Sequence, residues 1–402
     1  MAPSVLNESH ENGDPCSAGV ERLPQEDKPH AKAPVAVEEG PGRISRISTL
    51  DVSAMPTDTV CRFQLSLTST ALGSVDIPIF AYRSSNPGPT VGITCAVHGN
   101  EVNGIPVVQQ LFRDMGSGFS NEHASSHSTE HNLLPMKRGT AIGIPVVNVP
   151  GFLASIRCFD EDSKQDLNRL MPGKKDGSAP QQYAYAIFNK VIAHLDYLID
   201  LHTASLGRRN SLYVRADMNH PEIAELARLL QPQIVVHVST EGSLRGCAQA
   251  RGIRALTVEI GNPSVFQTNL IRRTYAGIRR VLASLQMGSE YPEHSLSAST
   301  HPGMQNGKST EAVLCSRSYW TFTSTGGILR VFKDVAQIVQ PGEVLAEVQN
   351  IFGDVVERIH APDFETVVVG VEDNPVAKTG SRVIHLGVVG NVFGSAAGDG
   401  HL

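Results

Sequence analysis

The chain of 402 residues is poor in aromatic side chains, at 5%, and carries a single Trp. So few stacking groups, a formal net charge of −6 and the lack of any basic stripe argue against nucleic acid and anionic membrane as partners, since both are held through clustered Lys and Arg. No run approaches the ~18 apolar residues that a transmembrane helix needs. Six cysteines, Cys16, Cys61, Cys95, Cys158, Cys247 and Cys315, show no Cys-x-x-Cys spacing. That excludes a disulfide framework or a cysteine-built zinc knuckle as the organising device. Cys95 is expected to be a small buried hydrophobe, and Cys158 a bystander. The first 42 residues lack the apolar core of a secretory signal and are rich in Glu, Pro, Ser, Gly and Asn, so residues 1–50 are expected to be a disordered tail and the cytoplasm the place of action.

What the chain does contain is three short polar strings, each following an apolar run rich in β-branched residues. They are His98-Gly99-Asn100-Glu101, Asp200-Leu201-His202-Thr203 and Thr257-Val258-Glu259-Ile260-Gly261. The preceding runs, residues 91–97, 197–199 and 255–258, read as buried strands. Polar residues at the ends of parallel strands sit at the rim of a sheet, where open α/β folds bind ligands. A catalytic zinc takes three protein ligands and leaves a fourth position for water. His98, Glu101 and His202 supply a two-His, one-Glu set of this kind. Glu259 is left over, and a carboxylate between Val258 and Ile260 is costly to bury unless it is paired or used; a water-activating base is what such a site still needs. A lone His-x-x-Glu is common, and a His ending a strand is usually structural. The conjunction, in this order, carries the reading.

Between the first two strings lie Arg157-Cys158-Phe159-Asp160 and Asp166-Leu167-Asn168-Arg169. Taken with His-Gly-Asn-Glu-Val-Asn-Gly, Val-Asn-Val-Pro-Gly-Phe, Asp-Leu-His-Thr and Val-Glu-Ile-Gly, these motifs resemble the succinylglutamate desuccinylase/aspartoacylase family of zinc carboxypeptidase-like deacylases, in the branch with a C-terminal β-domain. The likeness runs from about residue 59 to about residue 389. It implies one zinc per subunit held by His98, Glu101 and His202, with Glu259 as general base and acid. It also implies Arg157 as the group that polarises the scissile carbonyl, and Asn168 and Arg169 as the pair that holds the substrate carboxylate. An Arg suits the last role, because its planar fork meets a carboxylate bidentately. Without the likeness, a surface ion pair with Asp160 or Asp166 is the lesser, competing reading of Arg157 and Arg169. The stretch from Arg157 to Asp166 is longer than in aspartoacylases, so a preference for aspartyl substrates is not implied. Asp166 is expected to orient Arg169 or a nearby amide.

The rest of the pattern predicts α/β architecture: a zinc carboxypeptidase-like mixed sheet flanked by helices, followed by a small all-β barrel-sandwich. Strands are expected over 60–67, 75–82 and 141–149, and helices over 102–115, 181–195, 221–230 and 270–285. In the helix over 181–195 the apolar face should be Tyr185, Phe188, Ile192 and Leu195. In the last helix, Arg272, Arg273, Arg279 and Arg280 should form a solvated face. The polar stretch 117–132, with His123, His127 and His131, reads as a solvated insertion rather than a second metal site. The domains are then a tail (1–50), a catalytic domain (51–290), a linker (291–312) and a C-terminal β-domain (313–402) that resembles lipoyl and biotin carriers, although Lys333 lacks the hairpin setting of an attachment site. The resemblance implies that this last domain narrows the cleft or supports a homo-oligomer. The expected activity is hydrolysis of the amide bond of an N-acylated amino acid or a similar small carboxylate. A carboxypeptidase or esterase using the same site is the alternative, and a metal-free binding module is the reading of a different class.

Overall fold

The computed structural model describes residues 44–71, 73–116, 134–239, 242–289 and 311–390. The His-rich stretch 117–132, nearly all of the expected linker and the first 43 residues lie outside them. Within the expected tail, Ile44–Ile47 forms a strand, β1, parallel to the next one. β2 (Val60–Thr70) and β3 (Gly73–Arg83) follow, then β4 (Thr90–Cys95), α1 (Gly104–Met115), β5 (Thr140–Ile144), α2 (Val149–Leu153) and α3 (Ala179–Lys190). Next come β6 (Tyr197–His202), β7 (Arg208–Asn210), β8 (Leu212–Ala216), α4 (Pro221–Leu229), β9 (Ile234–His237), α5 (Leu244–Ala250), β10 (Arg254–Ile260) and α6 (Thr268–Ser284). The C-terminal part contributes β11 (Val313–Phe322), β12 (Gly327–Val331), β13 (Ile338–Val339), β14 (Val344–Gln349), β15 (Val355–His360), β16 (Thr366–Glu372), β17 (Val376–Ala377) and β18 (Arg382–Val389).

One large sheet runs in the order β1-β2-β3-β5-β4-β6-β10-β8-β9-β11-β18-β16-β13, with β7 paired to β16. Its middle, β5-β4-β6-β10, is parallel throughout, and buried parallel strands require apolar side chains on both faces. Alternation sorts those side chains. Ile93, Cys95, Ile199, Leu201, Leu256 and Val258 join one core with α1, α4 and α6, whereas Leu198 and Ala255 join another with α3 and α5. α1 buries Ile105, Val108, Leu111 and Phe112 as its spacing predicts, and each such side chain contributes about 1.5–3 kcal/mol of burial.

Three readings need correction. The strand expected over 141–149 stops at Ile144, and Val149 opens α2 because the Asn148 side chain caps it by accepting from Gly151 N at 3.0 Å. The helix expected over 181–195 is α3 only as far as Lys190 and gives way to a 3-10 turn at Ile192–His194; Phe188, Ile192 and Leu195 are buried as expected, but Tyr185 is only half-buried, and Tyr183, Ala184 and Ile187 complete the buried face. The arginines of α6 are not uniformly solvated. Arg279 is 1% exposed and donates to the Tyr275 hydroxyl and to Ser289 O, while Arg280 Nε donates to Leu229 O at 2.7 Å.

The C-terminal strands do not stand apart. β11 continues the catalytic sheet by pairing parallel to β9, and β16 receives β7. A second, antiparallel sheet, β15-β14-β12-β17, lies over β16 and β18. Leu329, Val348 and Ile359 of one layer share a core with Val368, Ile384 and Leu386 of the other. The expected sandwich is therefore present, built partly from an extension of the main sheet. Lys333 is ion-paired to Glu343.

Candidate active site

The three strings converge at the carboxyl ends of β4, β6 and β10. β6 and β10 run in register so that Glu259 faces His202 across the ladder, and Thr257 faces Asp200. The loop after β4 carries His98 and Glu101. It turns through Ala96, which holds a left-handed backbone at φ 51°, a strained choice for a residue with a Cβ. It then passes so close to α2 that a Cβ on Gly99 would stand 2.0 Å from the Gly151 carbonyl carbon. Only glycine fits there.

His98, Glu101 and His202 are 3%, 1% and 4% exposed, and one nitrogen or oxygen from each lies within 4.8 Å of the others. Glu101 Oε2 meets His202 Nδ1 at 2.8 Å and the Thr203 amide at 3.1 Å. Glu101 Oε1 approaches His98 Nδ1 to 2.8 Å, yet that buried nitrogen is aimed at no hydrogen-bond partner. An imidazole lone pair and a carboxylate converging without a mutual hydrogen bond fit a shared cation. The far nitrogens are backed by carboxylates: His202 Nε2 by Asp200 Oδ2 at 2.8 Å, and His98 Nε2 by Asp166 Oδ1 at 3.0 Å. Thr94 Oγ1 in turn donates to Asp200 at 2.6 Å. Carboxylate-backed imidazoles are the support that metal-ligating histidines need, because it fixes tautomer and ring angle. The residues present therefore fit a metal ion.

Electrostatics agree with tight pairing. Burial alone would raise the Glu101 carboxyl, but the His98 and His202 imidazoles outweigh it and hold the group below the usual carboxylate range. Asp166 is likewise held low against its burial by His98 and Arg157. Burial opposes charge on His202, and the Asp200 and Glu101 carboxylates overcome it and raise that imidazole well above its ordinary value. Glu259 behaves oppositely: burial dominates and raises its carboxyl, only partly countered by Arg215 and His202.

Arg157 sits in the site, with Nη1 donating to Glu101 Oε1 and Ser205 Oγ and Nη2 to Asp166 Oδ2, all at 2.9 Å. It is thus both the site arginine of the resemblance and the ion-pair partner of Asp166 that the bare sequence allowed. Asp166 does not orient Arg169; it holds His98, Arg157 and the Asn168 amide. Asn168 is buried and its Oδ1 accepts from Leu244 N at the start of α5. Arg169 is exposed at the mouth; its backbone amide donates to Asp166 O at 2.9 Å, and its side chain makes no hydrogen bond or ion pair to the other described residues. Arg157, Ser205, Asn168 and Arg169 line one cavity of about 210 Å³ with His98, Glu101, His202 and Glu259.

That cavity also holds residues the sequence did not single out. Asn210 Nδ2 donates to Glu259 Oε2 at 3.2 Å, and Arg215 Nε lies 3.7 Å from Glu259 Oε1. Tyr213, directly across the ladder from Glu259, is buried. Trp320 and Arg382 reach the same cavity from β11 and β18. The available signal was alternation: Tyr213 and Arg215 share a face of β8, as do Asp200 and His202 of β6.

Residues 87–285 match the succinylglutamate desuccinylase/aspartoacylase catalytic domain. The chain belongs to that family. An N-alpha-acetyl-L-2,4-diaminobutyric acid deacetylase of Halomonas elongata is 28% identical over 142 residues, which is 35% of this chain and 36% of that protein. The match therefore spans about a third of the curated relative. Among solved structures, a succinylglutamatedesuccinylase/aspartoacylase from Rhodobacter sphaeroides superposes with a TM-score of 0.66 at 20% identity, over 83% of this chain and 95% of that one. The product-bound ectoine utilization protein EutE (DoeB) from Ruegeria pomeroyi superposes with a TM-score of 0.64 at 19% identity, over 84% and 98%. At that identity these structures establish the fold, including the C-terminal strands that lie beyond the matched catalytic domain.

Proposed function

We propose that the protein is a zinc-dependent deacylase that hydrolyses the amide bond of an N-acylated amino acid or a similar small carboxylate in the cytoplasm. The observation that carries this reading is the buried His98, Glu101 and His202 donor set with Glu259 alongside it. The family and the deacetylase relative support the bond type, and five free cysteines among the described residues suit a reducing compartment. Zinc, when bound by His98, Glu101 and His202, would supply Lewis acidity and bring the pKa of water towards about 7.

The chain's own groups supply the rest. Glu259, with its carboxyl raised by burial, takes a proton from the attacking water and returns it to the leaving amine, which is the task of a carboxylate tuned upward. Asn210 and Arg215 hold its two oxygens. Arg157, fixed by Glu101 and Asp166, presents its guanidinium to the scissile carbonyl as negative charge develops there. Arg169, uncommitted at the mouth, and Asn168 beside it hold the substrate carboxylate. Metal analysis by mass spectrometry of the wild type beside His98→Ala, with an assay of N-acetyl amino acids beside blocked dipeptides, tests this. One zinc per chain in the wild type, little in His98→Ala, and turnover of the N-acetyl amino acids are expected. Absent zinc after metal addition would overturn the proposal in favour of a binding module, and preference for the dipeptides would favour a carboxypeptidase.

A further inference from the structure

Asn103 closes the motif that carries His98 and Glu101, and nothing in the proposed chemistry uses it. It is fully buried where α1 begins, yet its side chain does not cap that helix. The amide reaches instead to the turn after β10. Its Nδ2 donates to Ile260 O at 2.7 Å and lies 3.1 Å from Gln267 Oε1 and 3.3 Å from Asn262 O, while its Oδ1 accepts from Gln267 N at 2.9 Å. Gln267 closes the pairing, because its Oε1 also accepts from Asn262 N at 2.6 Å. A main-chain tie runs beside it, from Ser264 N to Asn100 O at 2.8 Å.

The place where this amide acts is the weak point of the site. β10 pairs with β6 only as far as Glu259 opposite His202, and with β8 only as far as Ile260. Glu259 therefore stands at a strand end, where ladders fray. Directly beyond it the chain turns through Gly261 at φ 65°, so close to Gln267 that a Cβ on Gly261 would lie 2.2 Å from Gln267 Oε1; a glycine alone takes that path without strain. The turn is then held by Ala204 N, which donates to Gly261 O at 2.8 Å, and by the Asn103 amide on Ile260 O. One side chain thus joins the residue after Glu259 to the residue two beyond Glu101. The metal-facing groups do not depend on it, since Asp166, Asp200 and Arg157 brace them from elsewhere.

We infer that Asn103 and Gln267 form a positioning clamp that sets the distance of Glu259 from Glu101 and touches neither metal nor substrate. The inference rests on the deacylase reading for the role of Glu259, but the clamp itself stands on the amide pairing. Gln267 serves in it through its acceptor oxygen, and its Nε2 makes no hydrogen bond to the other described residues. A carboxylate oxygen in the same place would accept the same two bonds.

Gln267→Met keeps the length of the side chain and removes the acceptor. In metal-loaded full-length protein it should lower kcat by about 10²-fold, the cost of a misplacement of ~1 Å at the reacting groups, with KM within about twofold because no substrate contact is lost. Its metal content should match that of the wild type. Gln267→Glu should recover kcat to within about threefold of the wild type, since the acceptor returns. Asn103→Ala should match the loss in Gln267→Met, and the double variant should lose no more than either alone, as two residues acting as one unit do. Asn103 is fully buried and Gln267 only half-buried, so the two Gln267 variants decide the matter if Asn103→Ala does not fold. Crystal structures read the clamp without turnover: in Gln267→Met the Glu259 carboxylate should stand about 1 Å from its wild-type place, with His98, Glu101 and His202 superposed. An unmoved Glu259, a kcat that Gln267→Glu does not recover, or single losses that multiply in the double variant would overturn the inference. Should the wild type hydrolyse no N-acyl substrate, the deacylase reading falls, and the structures alone still decide the clamp.

Discussion

On the catalytic side of the pocket, His98, Glu101 and His202 are at most 4% exposed and are braced by Asp166, Asp200 and Arg157. On the C-terminal side, Trp320 is half-buried, Arg382 is exposed, and stacking replaces a carboxylate network. Both walls belong to one sheet, yet water is excluded from only one of them. In the buried wall a lost partner strands a charge at low dielectric, whereas in the open wall solvent replaces most of what is removed. Under the proposed function, chemistry is assigned to the wall where substitution is ruinous.

The sharpest way to break this contrast is at Glu259. Glu259→Gln should keep its metal, since the ligand set is untouched, and lose about 10²–10⁴ in kcat, as removal of a general base does; steady-state kinetics with retained activity would refute the base. Next in size, Ile234→Ala in the core that joins Tyr213 and Val236 to Cys315, Val367 and Val369 should cost about 2–5 kcal/mol. Thermal unfolding should then drop in a single transition; two transitions would mean that the walls fold separately. Asp200→Asn and Asp166→Asn should each weaken metal binding by about 10–100-fold in chelator competition, and unchanged affinity would show that the backing carboxylates are idle.

The pH profile gives a finer test. Glu259 must be ionised to accept a proton, and burial raises its carboxyl, so activity should be present above that raised pKa and lost as pH falls through it. The acid limb of kcat/KM should lie above the ordinary carboxylate range. Arg215 pulls the Glu259 carboxyl downward, so Arg215→Gln should move the limb to higher pH, and a limb moving lower would contradict the assignment. Smallest of all, Arg358→Ala on the outer sheet removes a solvent-facing pair with Glu347 and should change stability by less than about 1 kcal/mol; a larger loss in denaturant titration would show the outer sheet to be less forgiving than the contrast requires.

The clustering of the four residues proposed as ligand set and base was legible because short apolar runs of strand length and end-of-strand position placed all of them at one rim of the sheet. Asp200 was equally readable, two residues before His202 and so on its face of β6, but a short Asp-Leu-His string does not reveal which carboxylate binds and which braces. Asp166 backs His98 across 68 residues of sequence, and no local pattern encodes such a pairing. Arg279 was misread for a related reason: charge on an amphipathic helix implies solvent unless buried acceptors wait for it, and the Tyr275 hydroxyl and Ser289 carbonyl do. The C-terminal wall was legible as strands but not as part of the pocket. Its attachment rests on ladders of β9 with β11 and β7 with β16, which join segments far apart in the chain.

Those two ladders also bear on how substrates enter. A domain tethered by a loop can swing, and many clefts open by a hinge. Here the wall carrying Trp320 is continuous with the sheet that carries Glu259, and β7 clasps it a second time at β16. Opening it would break main-chain ladders rather than bend a joint, so the aperture has a nearly fixed width. Admission must then be governed by rotamer changes at the mouth, and what the enzyme accepts becomes a question of gauge rather than of gating.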